Sequence, residues 1–264
     1  MGVSLRFLNY ILCDVLGDTL FKVKQIREFI PRGRTLIVGL PGMGGVAYTV
    51  ANHVIASTQS KLVAEFYMYS YPPQVNISNG LANLFKATLH DTPLGLVLTA
   101  NAQPATPEAQ NEFCDHILEY LHRNGLDKVI ATAAYVVANV SGRRNIYVTG
   151  NNEKLINEFL KYDAQLLQSG VVSGVNGAIV GWASYYDIPA VVLLSETWEP
   201  IVQVDEFDYR AAKHLLLLLG KYLNYDVNTE VFDSMADQVE GKVAEMISRS
   251  LKQFEVRKVS KDIM

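Results

Sequence analysis

The sequence predicts an α/β protein of three layers, with helices on both faces of a mostly parallel sheet and an amphipathic helix appended at the C-terminus. Three observations carry that prediction. Short apolar runs rich in β-branched and aromatic residues recur along the chain, and helical periodicities fall between them. The stretch Thr35-Leu36-Ile37-Val38-Gly39-Leu40-Pro41-Gly42-Met43-Gly44-Gly45-Val46-Ala47 runs a buried strand through a glycine-rich turn into a helix. Such alternation places parallel strands between two layers of helix.

The apolar runs occupy residues 36–40, 62–69, 94–99, 128–136, 146–149 and 190–194, and their near-continuous apolarity suits strands covered on both faces. Helical patterns fill residues 44–57, 107–123, 153–162, 175–186 and 206–223. Thr106-Pro107-Glu108 supplies an N-cap, a proline at the first helical position and an acid in the first turn. Phe113, Ile117, Leu118 and Leu121 then follow at helical spacing, and Asn124-Gly125 closes the helix. Ile188-Pro189 forces the chain out of helix immediately before Ala190-Val191-Val192-Leu193-Leu194.

Residues 67–83 depart from the alternation. Tyr71-Pro72-Pro73-Gln74 and Ser78-Asn79-Gly80 are turn formers, and the segments 62–69 and 81–89 are expected to pair as a long antiparallel hairpin at one edge of the sheet. Beyond Asn224, the residues Phe232, Met235, Val239, Val243, Met246, Ile247, Leu251 and Phe254 form one apolar stripe with charges opposite. Residues 1–225 therefore read as the core, and 226–264 as a helix and tail that dock on the body or on another subunit.

With 264 residues, 49% of them hydrophobic, the chain can bury a large core without a disulfide or a metal. A net charge of -4 with scattered lysines and arginines argues against a nucleic-acid partner, and the pair Arg143-Arg144 is expected in a solvated loop. Asn9, Asp14 and Asp18 break the apolar stretch near the N-terminus, and no later segment reaches about 18 uninterrupted apolar residues. These features point to a soluble cytoplasmic protein that engages no membrane. Cys13 and Cys114 stand far apart among apolar neighbours and read as buried reduced thiols.

The glycine-rich turn fails as a P-loop, because Gly45 is followed by Val46-Ala47-Tyr48 rather than by Lys-Ser or Lys-Thr. Gly42-Met43-Gly44-Gly45-Val46-Ala47 fits the spacing G-x-G-x-x-A of dinucleotide sites, yet Pro41 sits where the tight turn should start and Glu65 falls inside a strand. The plainer account is glycines that let a helix pack close on its strand. A second small-residue segment, Ser173-Gly174-Val175-Asn176-Gly177-Ala178, opens another helix, so Ser173 and Asn176 are expected to face a pocket beside Gly42, Gly44 and Gly45. Glu196 follows a buried strand and is the carboxylate best placed to anchor a ligand there, although it serves equally as a cap. His53, His90, His116, His122 and His214 fall singly, without metal-ligand spacing, and no nucleophile motif appears, so neither a catalytic residue, a metal nor a cofactor is assigned.

Four segments in order resemble the proteasome assembly chaperone 2-like family: Val38-Gly39-Leu40-Pro41-Gly42-Met43-Gly44-Gly45-Val46, Tyr71-Pro72-Pro73-Gln74-Val75, Ser173-Gly174-Val175-Asn176-Gly177 and Ile188-Pro189-Ala190-Val191-Val192-Leu193-Leu194-Ser195-Glu196-Thr197. The resemblance spans roughly residues 35 to 220. It implies an α/β/α sandwich similar to the nucleoside phosphorylase-like fold, assembly into homo-oligomers, and proteasome subunits as partners of a non-enzymatic scaffold. Archaeal relatives are often labelled ATP-grasp proteins, but nothing here looks like an ATP-grasp lysine and metal-carboxylate set. Some members engage the proteasome through a tail with a penultimate tyrosine, whereas this sequence has no tyrosine after Tyr225. The competing expectation is an enzyme that binds a nucleotide or phosphate at the glycine-rich rim, with Gly42, Gly44, Gly45, Ser173 and Asn176 as cradle and Glu196 as anchor.

Overall fold

The computed structural model describes residues 21–261, with side chains described to Arg249. Cys13 lies outside them. The described strands are β1 (Phe21–Gln25), β2 (Thr35–Val38), β3 (Lys61–Met68), β4 (Val75–Ser78), β5 (Leu81–Leu84), β6 (Ala87–Thr92), β7 (Gly95–Ala100), β8 (Lys128–Val137), β9 (Ile146–Gly150), β10 (Gln165–Leu166) and β11 (Ala190–Trp198). The helices are α1 (Val46–Ser57), α2 (Pro107–His122), α3 (Glu153–Leu160), α4 (Val175–Tyr185), α5 (Glu199–Gln203), α6 (Tyr209–Leu223) and α7 (Glu230–Lys261).

Nine of the described strands form one sheet in the order β1-β3-β6-β7-β2-β8-β11-β9-β10. Its centre, β7-β2-β8-β11, is parallel, as the buried apolar runs require. Antiparallel strands extend it on both sides: β6, β3 and β1 on one, β9 on the other.

Alternation along each central strand divides the core into two halves. Leu36 and Val38 face a layer containing Phe113, Ile117 and Leu121 of α2 and Val175, Ile179 and Ala183 of α4. Ile37 points the other way, into Val46, Val50 and Val54 of α1, Phe159 of α3 and Leu215 and Leu219 of α6. The three layers follow directly from period-2 strands and amphipathic helices. Cys114 is buried in the first half, where burial pushes its thiol up to about 12.

The expected cap of α2 forms as read, the Thr106 hydroxyl oxygen accepting from the Ala109 amide at 3.2 Å. Two expectations need correction. Residues 195–197 belong to β11, which continues to Trp198 because it pairs with β8 through Val137. The hairpin is also divided: β3 pairs with β6, whereas its tip, β4 and β5, forms a separate two-stranded ribbon. β1, which sequence periodicity did not reveal, covers the outer edge of β3. Among the described residues, no helix is long and apolar enough to cross a membrane.

Candidate functional site

The two glycine-rich corners do converge. Where the chain leaves β2, neighbouring threonines hold its backbone: the Thr99 hydroxyl donates to the Gly39 carbonyl at 2.8 Å and Thr132 to that of Val38 at 3.1 Å. A Cβ at Gly39 would collide with the Ala47 carbonyl oxygen, so this glycine is what allows α1 to lie close against β2.

Asn176, in the first turn of α4, stitches the corners together. Its Oδ1 accepts from the Leu40 amide and its Nδ2 donates to the Leu40 carbonyl, each at 3.0 Å. Gln103, after β7, adds a second stitch: its Nε2 donates to the Pro41 carbonyl and its Oε1 accepts from the Val175 amide at 2.8 Å. Gly42 lies beside both side chains. Asn176 is therefore a brace between the corners, with both ends of its amide engaged on Leu40.

Gly44 and Gly45 both take left-handed backbone, φ +58° and +57°, before α1 begins. A Cβ on Gly44 would stand 2.7 Å from the Thr197 methyl, and one on Gly45 would enter the ring of Phe207. The Gly44 carbonyl accepts from the Asp208 amide at 2.8 Å. The Asp208 carboxylate then caps α6 at the Ala211 amide, 2.9 Å, and accepts from the Trp198 amide at 3.1 Å. The corner on this side is thus covered by the chain's own Thr197, Phe207 and Asp208.

The other two expected ligand groups sit differently. Ser173 is exposed. Glu196, next to Thr197 in β11, points to the opposite face and accepts from the Asn145 amide and side-chain nitrogen, 3.0 Å each, and from the Tyr147 hydroxyl at 3.2 Å. Burial opposes its charge, but these donors outweigh it and hold the carboxyl below its ordinary value. Glu65 behaves similarly in β3: it is buried with Lys86, Lys24 at 3.4 Å and the Tyr67 hydroxyl at 2.9 Å, a position that suits a structural ion cluster rather than a ribose contact.

The expected interaction helix, α7, packs on α6. Phe232 and Val243 are buried, Met235 and Val239 half-buried, and Met246 exposed, while the side chains of Leu251 and Phe254 lie outside the described residues. Ion pairs flank this seam. Glu240 meets Arg144 at 2.6 Å and Arg210 at 2.8 Å, Asp237 meets Arg210 at 2.5 Å, and Asp233 meets Lys213 at 2.6 Å. Arg144 also lies 3.7 Å from Asp208, linking the helix seam to the glycine rim. This overturns the expected solvated pair: Arg143 is exposed, but Arg144 is only 2% exposed, held in place by Asp208, which caps α6, and by Glu240 of α7.

Two apolar surfaces were not foreseen as sites. One is a groove of about 400 Å³ between α1, the start of α6 and the start of α7, walled by Tyr48, Phe207, Tyr209, Val231, Phe232 and Met235. The other is the ribbon β4–β5, whose strands are exposed along their whole length. Only its turn was legible in the sequence: Asn79 and Gly80 both take positive φ, as a two-residue hairpin loop requires.

The profile of the PAC2 family matches residues 36–247, a span that includes the glycine rim, the ribbon and most of α7. The chain belongs to the PAC2 family. Its fold is similar to that of Pyrococcus furiosus PbaB, an archaeal proteasome activator, with a TM-score of 0.77 and 20% identity over 86% of this chain and 98% of that one. It is also similar to PbaA of the same organism, an archaeal homolog of proteasome-assembly chaperone, with a TM-score of 0.71 and 22% identity over 92% and 98% of the two chains. An uncharacterized protein of Methanocaldococcus jannaschii is 25% identical over 240 residues, covering 89% of this chain and 88% of that one. The layered α/β fold with a mostly parallel central sheet expected of a PAC2 relative is therefore the fold observed.

Proposed function

We propose that this PAC2-family chain is a cytoplasmic, proteasome-assembly-chaperone-like scaffold that binds protein partners, works as a homo-oligomer and catalyses no reaction. The observation that carries the reading is how the rim uses its polar groups. Leu40, Pro41 and Val175 of the two corners are engaged by Asn176 and Gln103, and Gly45 lies under Phe207, so these groups brace the fold where a ligand cradle would need them open. Apolar surface, by contrast, is left uncovered on the ribbon and in the groove. Proteasome subunits are the partners that fit, given the descriptions of PbaA and PbaB. The exposed face of α7, with Met246, is a further surface for them.

The direct test is retention of purified proteasome core particle and its precursors on the immobilised full chain. Specific retention is expected, and its absence at micromolar concentrations defeats the reading. A panel of phosphate, nucleosides and nucleotides should leave the melting temperature unchanged. A saturable rise with any of them would return the rim to ligand binding, because a ligand of the native state stabilises it by mass action.

A further inference from the structure

The outer layer made by α2 and α4 is acidic and aromatic. Glu108, Glu112, Asp115 and Glu119 recur at steps of four, three and four, which fall on one side of a helix, and neither Lys nor Arg occurs in α2. α4 carries no charged residue to offset them. Two hydrogen bonds set the helices side by side: the Trp182 indole donates to the Asn111 Oδ1 at 2.9 Å, and the Tyr186 hydroxyl donates to Asp115. Trp182 and Tyr185 meet edge to face with ring centres 6.0 Å apart, and Tyr185 is 74% exposed. Glu119 pairs with Arg123, whereas Glu108 and Glu112 are exposed and pair with no cation among the described residues. Carboxylates beside open indole and phenol rings attract a lysine or arginine side chain, both by charge and through the negative faces of the rings.

The chain holds a matching segment. α7 is polarised: Asp233, Asp237 and Glu240 in its first half engage Lys213, Arg210 and Arg144, whereas the sequence from 250 to 261 carries Lys252, Arg257, Lys258 and Lys261 against Glu255 alone. The last buried side chain described on α7 is Val243, and the helix continues to Lys261, about 27 Å further at about 1.5 Å per residue. α7 docks on α6, which lies on the opposite face of the sheet from α2 and α4. An unbroken helix held there cannot turn round the sheet to its own acidic layer, so the basic end reaches such a layer only on another molecule.

We propose that the basic end of α7 in one copy docks on the acidic, aromatic face of α2 and α4 in a second copy. This contact rests on the homo-oligomer proposed above and is the one through which its copies meet. Copies with net charge -4 repel at long range, and this pairing is where opposite charges come together. It joins two different surfaces, so it propagates from copy to copy and closes into a ring if the rotation permits.

The test uses full-length chains and sedimentation velocity. At about 50 mM salt the unaltered chain is expected above the 29.3 kDa of one copy, and at about 0.5 M salt it should shift toward that mass, because exposed charges are then screened. Glu112→Lys with Tyr185→Lys alters only the face, at two exposed positions, the second at the end of α4 where a cation suits the helix dipole. Lys252→Glu with Lys258→Glu alters only the end of α7. Each double variant alone should fall to the mass of one copy with its circular dichroism and melting temperature retained. Mixed in equal amounts, the two should form a dimer and nothing larger, since each pair keeps one intact face and one intact α7 end. An unaltered chain that is monomeric at all concentrations overturns the proposal. So does an unchanged mass in either variant, a mass indifferent to salt, or a mixture that stays monomeric. Proteasome retention is scored separately: its absence in the unaltered chain defeats the scaffold reading whatever the mass, and its loss in the α7 variant at unchanged mass assigns the basic end to the proteasome and overturns this contact alone.

Discussion

The glycine rim and the ribbon are both built on left-handed turns, yet the chain treats them in opposite ways. At the rim, Gly44 and Gly45 bring backbone so close to Thr197 and Phe207 that no side chain fits, and buried amides carry the resulting polar groups. At the ribbon, Asn79 and Gly80 turn the chain in open solvent and leave aliphatic side chains in water. The difference separates a structural brace from uncovered apolar surface. A polar group that is satisfied inside the molecule has little left to offer a ligand, while uncovered apolar area gains free energy on finding a partner.

Several substitutions would break or sharpen that contrast. The largest effect is expected for Arg144→Met, which strips Asp208 and Glu240 of a cation that is almost wholly buried: about 3–5 kcal/mol of stability should be lost in urea denaturation. Asn176→Ala is of similar size, since it leaves the buried Leu40 amide and carbonyl without partners; roughly 2–6 kcal/mol is expected, at about 1–3 for each of the two orphaned groups. If Asn176→Ala were neutral, the rim would not be a brace.

Acidification should act on the same polar framework in two stages. Burial lowers His90 and His214 in the folded state, so stability falls as pH drops from 6.5 through their depressed values, where only the unfolded chain takes up protons. Glu65 and Glu196 are also held low, so their contribution is complete above 4.5 and is lost as pH falls through their folded values. Urea midpoints between pH 8 and 3 would show both stages; a flat profile down to 4.5 would remove the histidine stage. The smallest effect is expected at the ribbon. Leu84→Ser should change monomer stability by less than about 0.5 kcal/mol, because the side chain is already in water.

The rim was partly legible in the sequence and the ribbon hardly at all. The glycine spacing located both corners, and Asn176 was singled out, but as a ligand group. Gln103 carries no local signal, being one polar residue in the short loop ahead of the Thr106 cap. The hairpin turn was visible, but whether Val75, Ile77 and Leu84 lie on the sheet or stand away from it depends on where β3 and β6 stop pairing. Arg144 reads as an ordinary loop residue until Asp208 and Glu240, 64 and 96 positions later, are folded around it.

Periodicity, caps and turn residues are local, and they determined the buried central strands, the longer helices, the parallel centre of the sheet and its three layers, but not β1, β10 or the separate ribbon. Contacts between distant parts of the chain were decided only by the tertiary structure. Leu40 and Asn176 are 136 residues apart, and no spacing rule links an amide side chain to the one backbone pair it will satisfy. The same holds for surface: an apolar strand face looks identical in sequence whether the fold covers it or leaves it for another molecule.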